Sequence, residues 1–261
     1  MSGGRFSRAA RASAASTGAL SALRPIALGL WLALIAAPAG AAGLQVTPTV
    51  LTLQARQNAD GLWLSNTGTT TLQAQVRVFR WTQSNGEEHF EPTQALAISP
   101  PMLELAPGAR QLVRVIRLGA PPAREDSYRL IVDELPPDDV NRPPGLQFVL
   151  RYSLPVFLAA AGDAAPAPKL RAQLSFQGEQ VRLEVRNDGD QHAQLADLVF
   201  VDTHGTRHAL QSGLLGYALP AQRMRWPLAA PAELLRGGGT LKARINGEAT
   251  EQALALDPPA G

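Results

Sequence analysis

The longest ordered alternation of apolar and polar residues runs from Gly145 to Phe157. Successive side chains of an extended chain point to opposite faces. Leu146, Phe148, Leu150 and Tyr152 therefore share one face, and Gln147, Val149, Arg151 and Ser153 the other. An apolar row of this kind either fills the core of its own fold or is lent to a protein that lacks a strand.

Shorter runs of the same type precede it. Leu44 to Leu53 predicts a first strand, with Pro48 marking an edge or a bend. Gly61 to Ser65 predicts a second, closed by Asn66-Thr67-Gly68, and Leu72 to Trp81 a third that alternates cleanly. Ser84-Asn85-Gly86 reads as a hairpin turn, because Asn and Gly tolerate positive φ. Ile98 to Leu105 carries Pro100-Pro101; Gln111 to Leu118 and Asp126 to Leu135 complete the set before a polar loop over 138–144. Strands spaced roughly ten residues apart, with almost no helical periodicity, predict a β-sandwich.

The stretch from Ala159 to Pro168 is small, proline-rich and unpatterned, and reads as a linker. Strand-like runs resume at Leu170–Phe176, Val181–Val185, Leu195–Val201 and Leu241–Ile245. The expected organisation is a leader over 1–42, a first β domain over 43–158, a linker over 159–169 and a smaller β domain over 170–257. No convincing sequence repeat relates the two halves.

The leader changes the charge picture. Arg5, Arg8, Arg11 and Arg24 precede an apolar run from Ile26 to Ala37, and Ala39-Gly40-Ala41 supplies small residues for cleavage. This is the pattern of a secretory signal; an uncleaved anchor is the other reading. A comfortable membrane span needs roughly 20 apolar residues. Without the leader's four arginines, 20 basic residues stand against 22 acidic ones, so no polybasic character points to nucleic acid. The chain has no cysteine, which removes thiol nucleophiles and leaves stability to the core.

Candidate chemistry is sparse. His204 and His208 have the spacing of a metal pair only on a helix, and the glycine between them argues against one. Asn187-Asp188-Gly189-Asp190 lacks the further acidic positions of a calcium loop and reads as an exposed turn. No nucleophile elbow, phosphate loop or acid pair is present. An enzyme, a metal site and a cofactor are therefore not expected. A secreted adhesive or carbohydrate-binding β-sandwich is the alternative reading, with Trp63, Trp81 and Trp226 as aromatic candidates. A structural subunit of a polymer, which would expose an incomplete domain or carry a donor peptide at its mature N-terminus, is a further one.

Several segments occur in a telling order. Val46-Thr47-Pro48 comes first, then Leu62 to Gly68, Ser99-Pro100-Pro101, Leu105 to Gly108, Val113-Arg114, Tyr128-Arg129, Glu134-Leu135-Pro136 and the closing Leu150 to Phe157. Together they resemble the periplasmic chaperones of the chaperone–usher pilus pathway, over residues 44–158 well and over the second domain loosely. Among branches, the chain looks like the archaic one, linked with Csu-type pili and spore-coat-U-like subunits.

The resemblance implies an all-β chain of two immunoglobulin-like sandwiches in a boomerang arrangement, a fold and a mode of binding for which this family is a standing example. It implies a periplasmic, non-enzymatic protein whose partners are pilus subunits and an outer-membrane usher, without nucleic acid, cofactor or small-molecule substrate. Leu146, Phe148, Leu150 and Tyr152 align with the row donated to a subunit. The better-known branch holds the subunit's terminal carboxylate with an Arg and a Lys; aligned here, those positions are Val50 and Pro155. A buried carboxylate still needs charge-assisted partners, and Arg129, Arg151 and Arg114 are the candidates, with Arg129 favoured. Each is otherwise an ordinary solvated strand arginine.

Overall fold

The computed structural model describes residues 43–136, 148–162 and 167–257. Ten strands build the first sandwich. Their ranges are β1 Leu44–Thr47, β2 Leu51–Leu53, β3 Ala59–Asn66, β4 Leu72–Ser84, β5 Glu87–Pro92, β6 Leu96–Ser99, β7 Met102–Leu105, β8 Arg110–Arg117, β9 Asp126–Leu135 and β10 Arg151–Leu158. One sheet has the order β1-β3-β8-β6, and the facing sheet β2-β10-β9-β4-β5, with β7 also on β4.

Proline explains where the expected strands break. Pro48 divides the predicted Leu44–Leu53 run, so that β1 pairs with β3 in one sheet and β2 lies parallel to β10 in the other. Pro100 and Pro101 likewise divide Ile98–Leu105 into β6 and β7, which belong to opposite sheets. A proline has no N–H to give to a ladder, so a chain changes sheets cheaply there. The Thr47–Pro48 and Ser99–Pro100 peptides are both cis. The β4–β5 turn has the expected chemistry, with Asn85 and Gly86 at φ 54° and 81°.

The second sandwich comprises β11 Leu170–Gln177, β12 Gln180–Asn187, β13 Ala193–Asp202, β14 Arg207–Ala218, β15 Gln222–Leu228, β16 Gly239–Ile245, β17 Glu251–Ala253 and β18 Ala255–Leu256, with a short helix α1, Ala232–Arg236. Its sheets have the orders β15-β12-β11-β18 and β14-β13-β16-β17. β14, β15 and α1 escape the sequence pattern. The pairing of β13 with β14 is irregular at Leu195–Val199, which breaks the period-two signal.

Each sandwich has its own apolar core. Leu62, Leu64, Val76, Val113, Val115, Leu130, Val132 and Val156 fill the first. Leu183, Val185, Leu195, Leu198, Phe200 and Leu241 are among those that fill the second. A buried asparagine pins one corner of each. Asn66 Nδ2 donates to the carbonyls of Thr70 (2.8 Å) and Leu105 (2.9 Å), while its Oδ1 accepts from Gly68 N–H (2.9 Å). Asn187 repeats the arrangement, donating to Gln191 (2.8 Å) and Ala218 (2.9 Å) and accepting from Gly189 N–H (3.0 Å). The two Asn-x-Gly turns are thus one device used twice, and the second is not the fully exposed turn expected from its sequence.

The sandwiches meet at a dense joint. The outward faces of β4 and β10 bring Trp81 and Phe157 against Tyr217 and Leu219, all four buried. Gln83 completes the contact as a strand would: Nε2 donates to the Tyr217 carbonyl (2.7 Å) and Oε1 accepts from Leu219 N–H (3.0 Å). Gln222 Oε1 accepts from the Gln83 N–H. His192 stacks on Phe157 with centroids 3.6 Å apart, and its N–H and Nδ1 both meet Glu125 Oε1, at 2.8 and 2.9 Å. The β4–β5 turn touches the second sandwich through a Gly86–Met224 bridge. A Cβ on Gly86 would lie 2.7 Å from that of Arg225, so only glycine fits.

Asn66→Asp and Asn187→Asp keep the acceptor but turn a carboxylate oxygen toward two carbonyls. Each substitution is expected to destabilise its own sandwich by on the order of 3 kcal/mol, measured by urea denaturation. Gln83→Leu leaves a buried carbonyl and a buried N–H unpaired across the joint. Its expected result is separate unfolding steps for the two sandwiches where the wild type unfolds in one.

Candidate subunit-binding site

The candidate row divides along its length. Leu154, Val156 and Leu158 continue its parity and are buried in the first core. Leu150 and Tyr152 are half-buried and packed against the same core, and the Tyr152 hydroxyl donates to the Leu44 carbonyl at 2.6 Å. Phe148 is 76% exposed. Leu146 lies outside the described residues. The row therefore has two environments: its later residues belong to this fold's core, while Phe148, ahead of the start of β10, is exposed.

Backbone pairing divides further along, within β10. β10 runs antiparallel to β9 from Arg151 to Leu158, and the ladder extends to Leu150, whose carbonyl accepts from Glu134 N–H at 2.9 Å. On its other side β10 pairs with β2 only from Val156 to Leu158. Among the described residues, no strand pairs with Arg151–Pro155 on that side. An edge of unpaired N–H and C=O groups beside an exposed aromatic is a template for another chain.

The three candidate arginines have different surroundings. Arg114 lies exposed on β8, on the outward face of the β1-β3-β8-β6 sheet, across from Gly61 and Ser99. Arg151, with a side chain 69% exposed, is tied to Asp133. Arg77 Nη2 holds the same carboxylate at 2.6 Å. Burial works against ionisation of Asp133, but the two guanidinium groups outweigh it and hold the carboxyl below its usual range.

Arg129 is placed differently. It faces Pro155 directly across the β9–β10 ladder, beside one of the two positions the better-known branch gives to its anchor. Val50, the other such position, is partly exposed, and no basic residue replaces it in sequence. The Arg129 guanidinium stacks 3.7 Å above the Trp81 ring, lies 5.5 Å from the Tyr217 ring, and meets Glu88 Oε1 at 3.5 Å. Its side chain is only 12% exposed, and Nε is buried without a hydrogen-bond partner. Burial pushes the Arg129 pKa down, against the opposing charge of Glu88.

The sequence singled out Arg129 but not its surroundings. In sequence Trp81 closes the predicted third strand and reads as a core or edge aromatic before a sugar-site candidate, while Glu88 and Tyr217 carry no signal, because their meeting depends on strand register and on the joint. The three tryptophans do not converge. Trp63 lies on the outward face of β3 under Arg110 (3.9 Å), Trp81 is buried at the joint, and Trp226 packs against the second core.

His204 lies in a turn and His208 on β14, so the pair is not helical. His208 Nε2 meets Asp202 Oδ2 at 3.0 Å, and this bond leads the interactions that lower the Asp202 carboxyl to about 2. Among the described residues, no three His, Cys, Asp or Glu side chains cluster as a metal site. No helix of the described residues is long and apolar enough to cross a membrane.

Residues 43–162 match the family described as "Pili and flagellar-assembly chaperone, PapD N-terminal domain". A comparison with curated protein sequences finds no match. Among solved structures, the chain resembles one in the CsuC–CsuE chaperone–tip adhesion subunit pre-assembly complex from archaic chaperone-usher Csu pili of Acinetobacter baumannii. The identity is 24% over 82% of this chain and 98% of that one, with a TM-score of 0.64. The E. coli chaperone DraB gives 19% identity, a TM-score of 0.58, and coverage of 83% and 97%. A chain of the Salmonella enterica SafA pilin–SafB chaperone complex gives 18%, 0.58, and coverage of 82% and 96%. These likenesses bear on the fold, and the family match bears on the first sandwich. Over residues 43–162 the first sandwich is thus similar to the PapD-type pili and flagellar-assembly chaperone domain, and the two immunoglobulin-like sandwiches share the fold of solved pilus chaperones.

Proposed function

We propose that this protein is a periplasmic chaperone that completes pilus subunits in trans and delivers them to an outer-membrane usher. The observation that carries the reading is the division of the β10 row. Its far end is anchored in the chaperone's own core, while Phe148 stands exposed beside a strand edge with no partner. Leu146, Phe148 and Leu150 would enter the groove of a spore-coat-U-like subunit, and Tyr152 would close the row against β1. Each large apolar side chain buried is worth roughly 1.5–3 kcal/mol before ordering costs are subtracted. Backbone pairing along Arg151–Pro155 would set the register.

Arg129 would hold the subunit's terminal carboxylate. It lies across from Pro155, and its guanidinium has donor capacity left unused. Arg151, tied to Asp133, would fix the start of the strand instead. The leader over 1–42 would direct export, and release would come from strand exchange with the next subunit.

Co-expression with a candidate spore-coat-U-like pilin subunit tests the reading. Phe148→Asp is expected to keep the wild-type melting temperature and to weaken subunit binding at least about tenfold, since a charge replaces a buried aromatic. Leu154→Asp, by contrast, should unfold the first sandwich. A folded Phe148→Asp protein that retains the subunit at wild-type affinity removes strand donation as the mechanism.

A further inference from the structure

A guanidinium in a protein does not lose its proton, so a buried arginine needs an anion nearby at all times. For Arg129 that anion is Glu88, and the pair is poorly made. One contact spans 3.5 Å, against roughly 2.7–2.9 Å for a good charge-assisted bond, and Nε has no partner. The two side chains differ in freedom. Arg129 is 12% exposed and rests on Trp81, whereas Glu88 is 31% exposed and stands on the edge strand β5.

We propose that Glu88 is an internal stand-in for the subunit's terminal carboxylate: it neutralises and orients Arg129 in the empty chaperone and swings into water when that carboxylate arrives. The inference rests on the reading of Arg129 as the anchor. Exchanging one anion for another keeps Arg129 compensated throughout, so no step leaves a bare buried charge. The swing needs only side-chain rotation. Glu88 lies directly across from Gln83, whose amide is fixed to Tyr217 and Leu219, so the backbone beneath it stays in place. Trp81 and Tyr217 keep the guanidinium plane in position during the exchange.

The experiment measures binding of a synthetic peptide of the C-terminal strand of the pilin subunit that the co-expression test identifies, with a free or an amidated terminus. It uses the wild type, Glu88→Gln, Glu88→Asp, Glu87→Gln, Arg129→Met and the Glu88→Gln/Arg129→Met double variant. With its competitor gone, Glu88→Gln should bind the free acid about threefold to fivefold tighter, the scale of a partly exposed ion pair. Glu87→Gln, which removes a charge from the same hairpin without touching Arg129, should match the wild type. The gain should vanish with the amidated peptide and in the double variant. Empty Glu88→Gln should also melt lower, because Arg129 has lost its anion. Glu88→Asp, with a shorter reach, should shift binding in the same direction and serves if Glu88→Gln does not fold.

If Arg129→Met binds the free acid as the wild type does, the anchor reading fails and this inference with it. If Arg129→Met weakens only the free acid while Glu88→Gln binds no tighter than wild type, Glu88 is not a stand-in and the anchor reading survives. Absence of binding of either peptide to the wild type overturns both.

Discussion

The β9–β10 ladder is the constraint on which the rest depends. Its register, Arg151 opposite Asp133 through Leu158 opposite Asp126, settles three things together. The inward parity of β10 sends Leu154, Val156 and Leu158 into the first core. The outward parity sends Phe157 into the joint with the second sandwich. The same register sets Pro155 opposite Arg129. A slip of one residue would exchange the two faces and lose all three at once.

The joint between the sandwiches is polar as well as apolar. Trp81, Phe157, Tyr217 and Leu219 exclude water, and within that dry surrounding Gln83 pairs with the second sandwich as a strand backbone would. Glu125 meets the main chain and the ring of His192 with one oxygen. Buried polar groups paired on every side specify a single arrangement more sharply than apolar contact alone. Arg129 draws its setting from this joint: the ring beneath it belongs to the first sandwich and the more distant Tyr217 ring to the second. The geometry of the candidate anchor therefore depends on both halves of the protein.

The two sandwiches share a construction that their sequences conceal. Asn66 and Asn187 each end a strand, satisfy a turn four residues on, and reach a carbonyl far along the chain, at Leu105 and Ala218. A buried amide with both donors and its acceptor satisfied is costly to replace. The surrounding apolar positions need only volume and parity, and tolerate substitution. Similarity between the halves thus survives as one Asn-x-Gly tripeptide rather than as an alignable repeat.

Much of the architecture was legible before any coordinates. Period-two alternation located β3, β4, β8 and β9, the last with its observed limits, and Asn85-Gly86 marked the hairpin to β5, because these signals are local. Proline marked the two crossings between sheets, but which strands would lie on either side was not readable. β14 stayed hidden because an irregular ladder and small residues blur its alternation, and β15 because Pro227 interrupts the alternation of Met224, Trp226 and Leu228. The fate of the apolar row was likewise outside the sequence's reach: one parity describes Phe148 and Val156 equally, and only the end of the β2–β10 pairing leaves one side of Arg151–Pro155 open. Sequence alone determined which residues could be extended, apolar and aligned, since that is decided by each residue and its near neighbours. Tertiary structure decided which were buried, which were left open, and that Arg129 should meet Trp81, Tyr217 and Glu88, because burial and charge pairing arise only between segments distant in the chain.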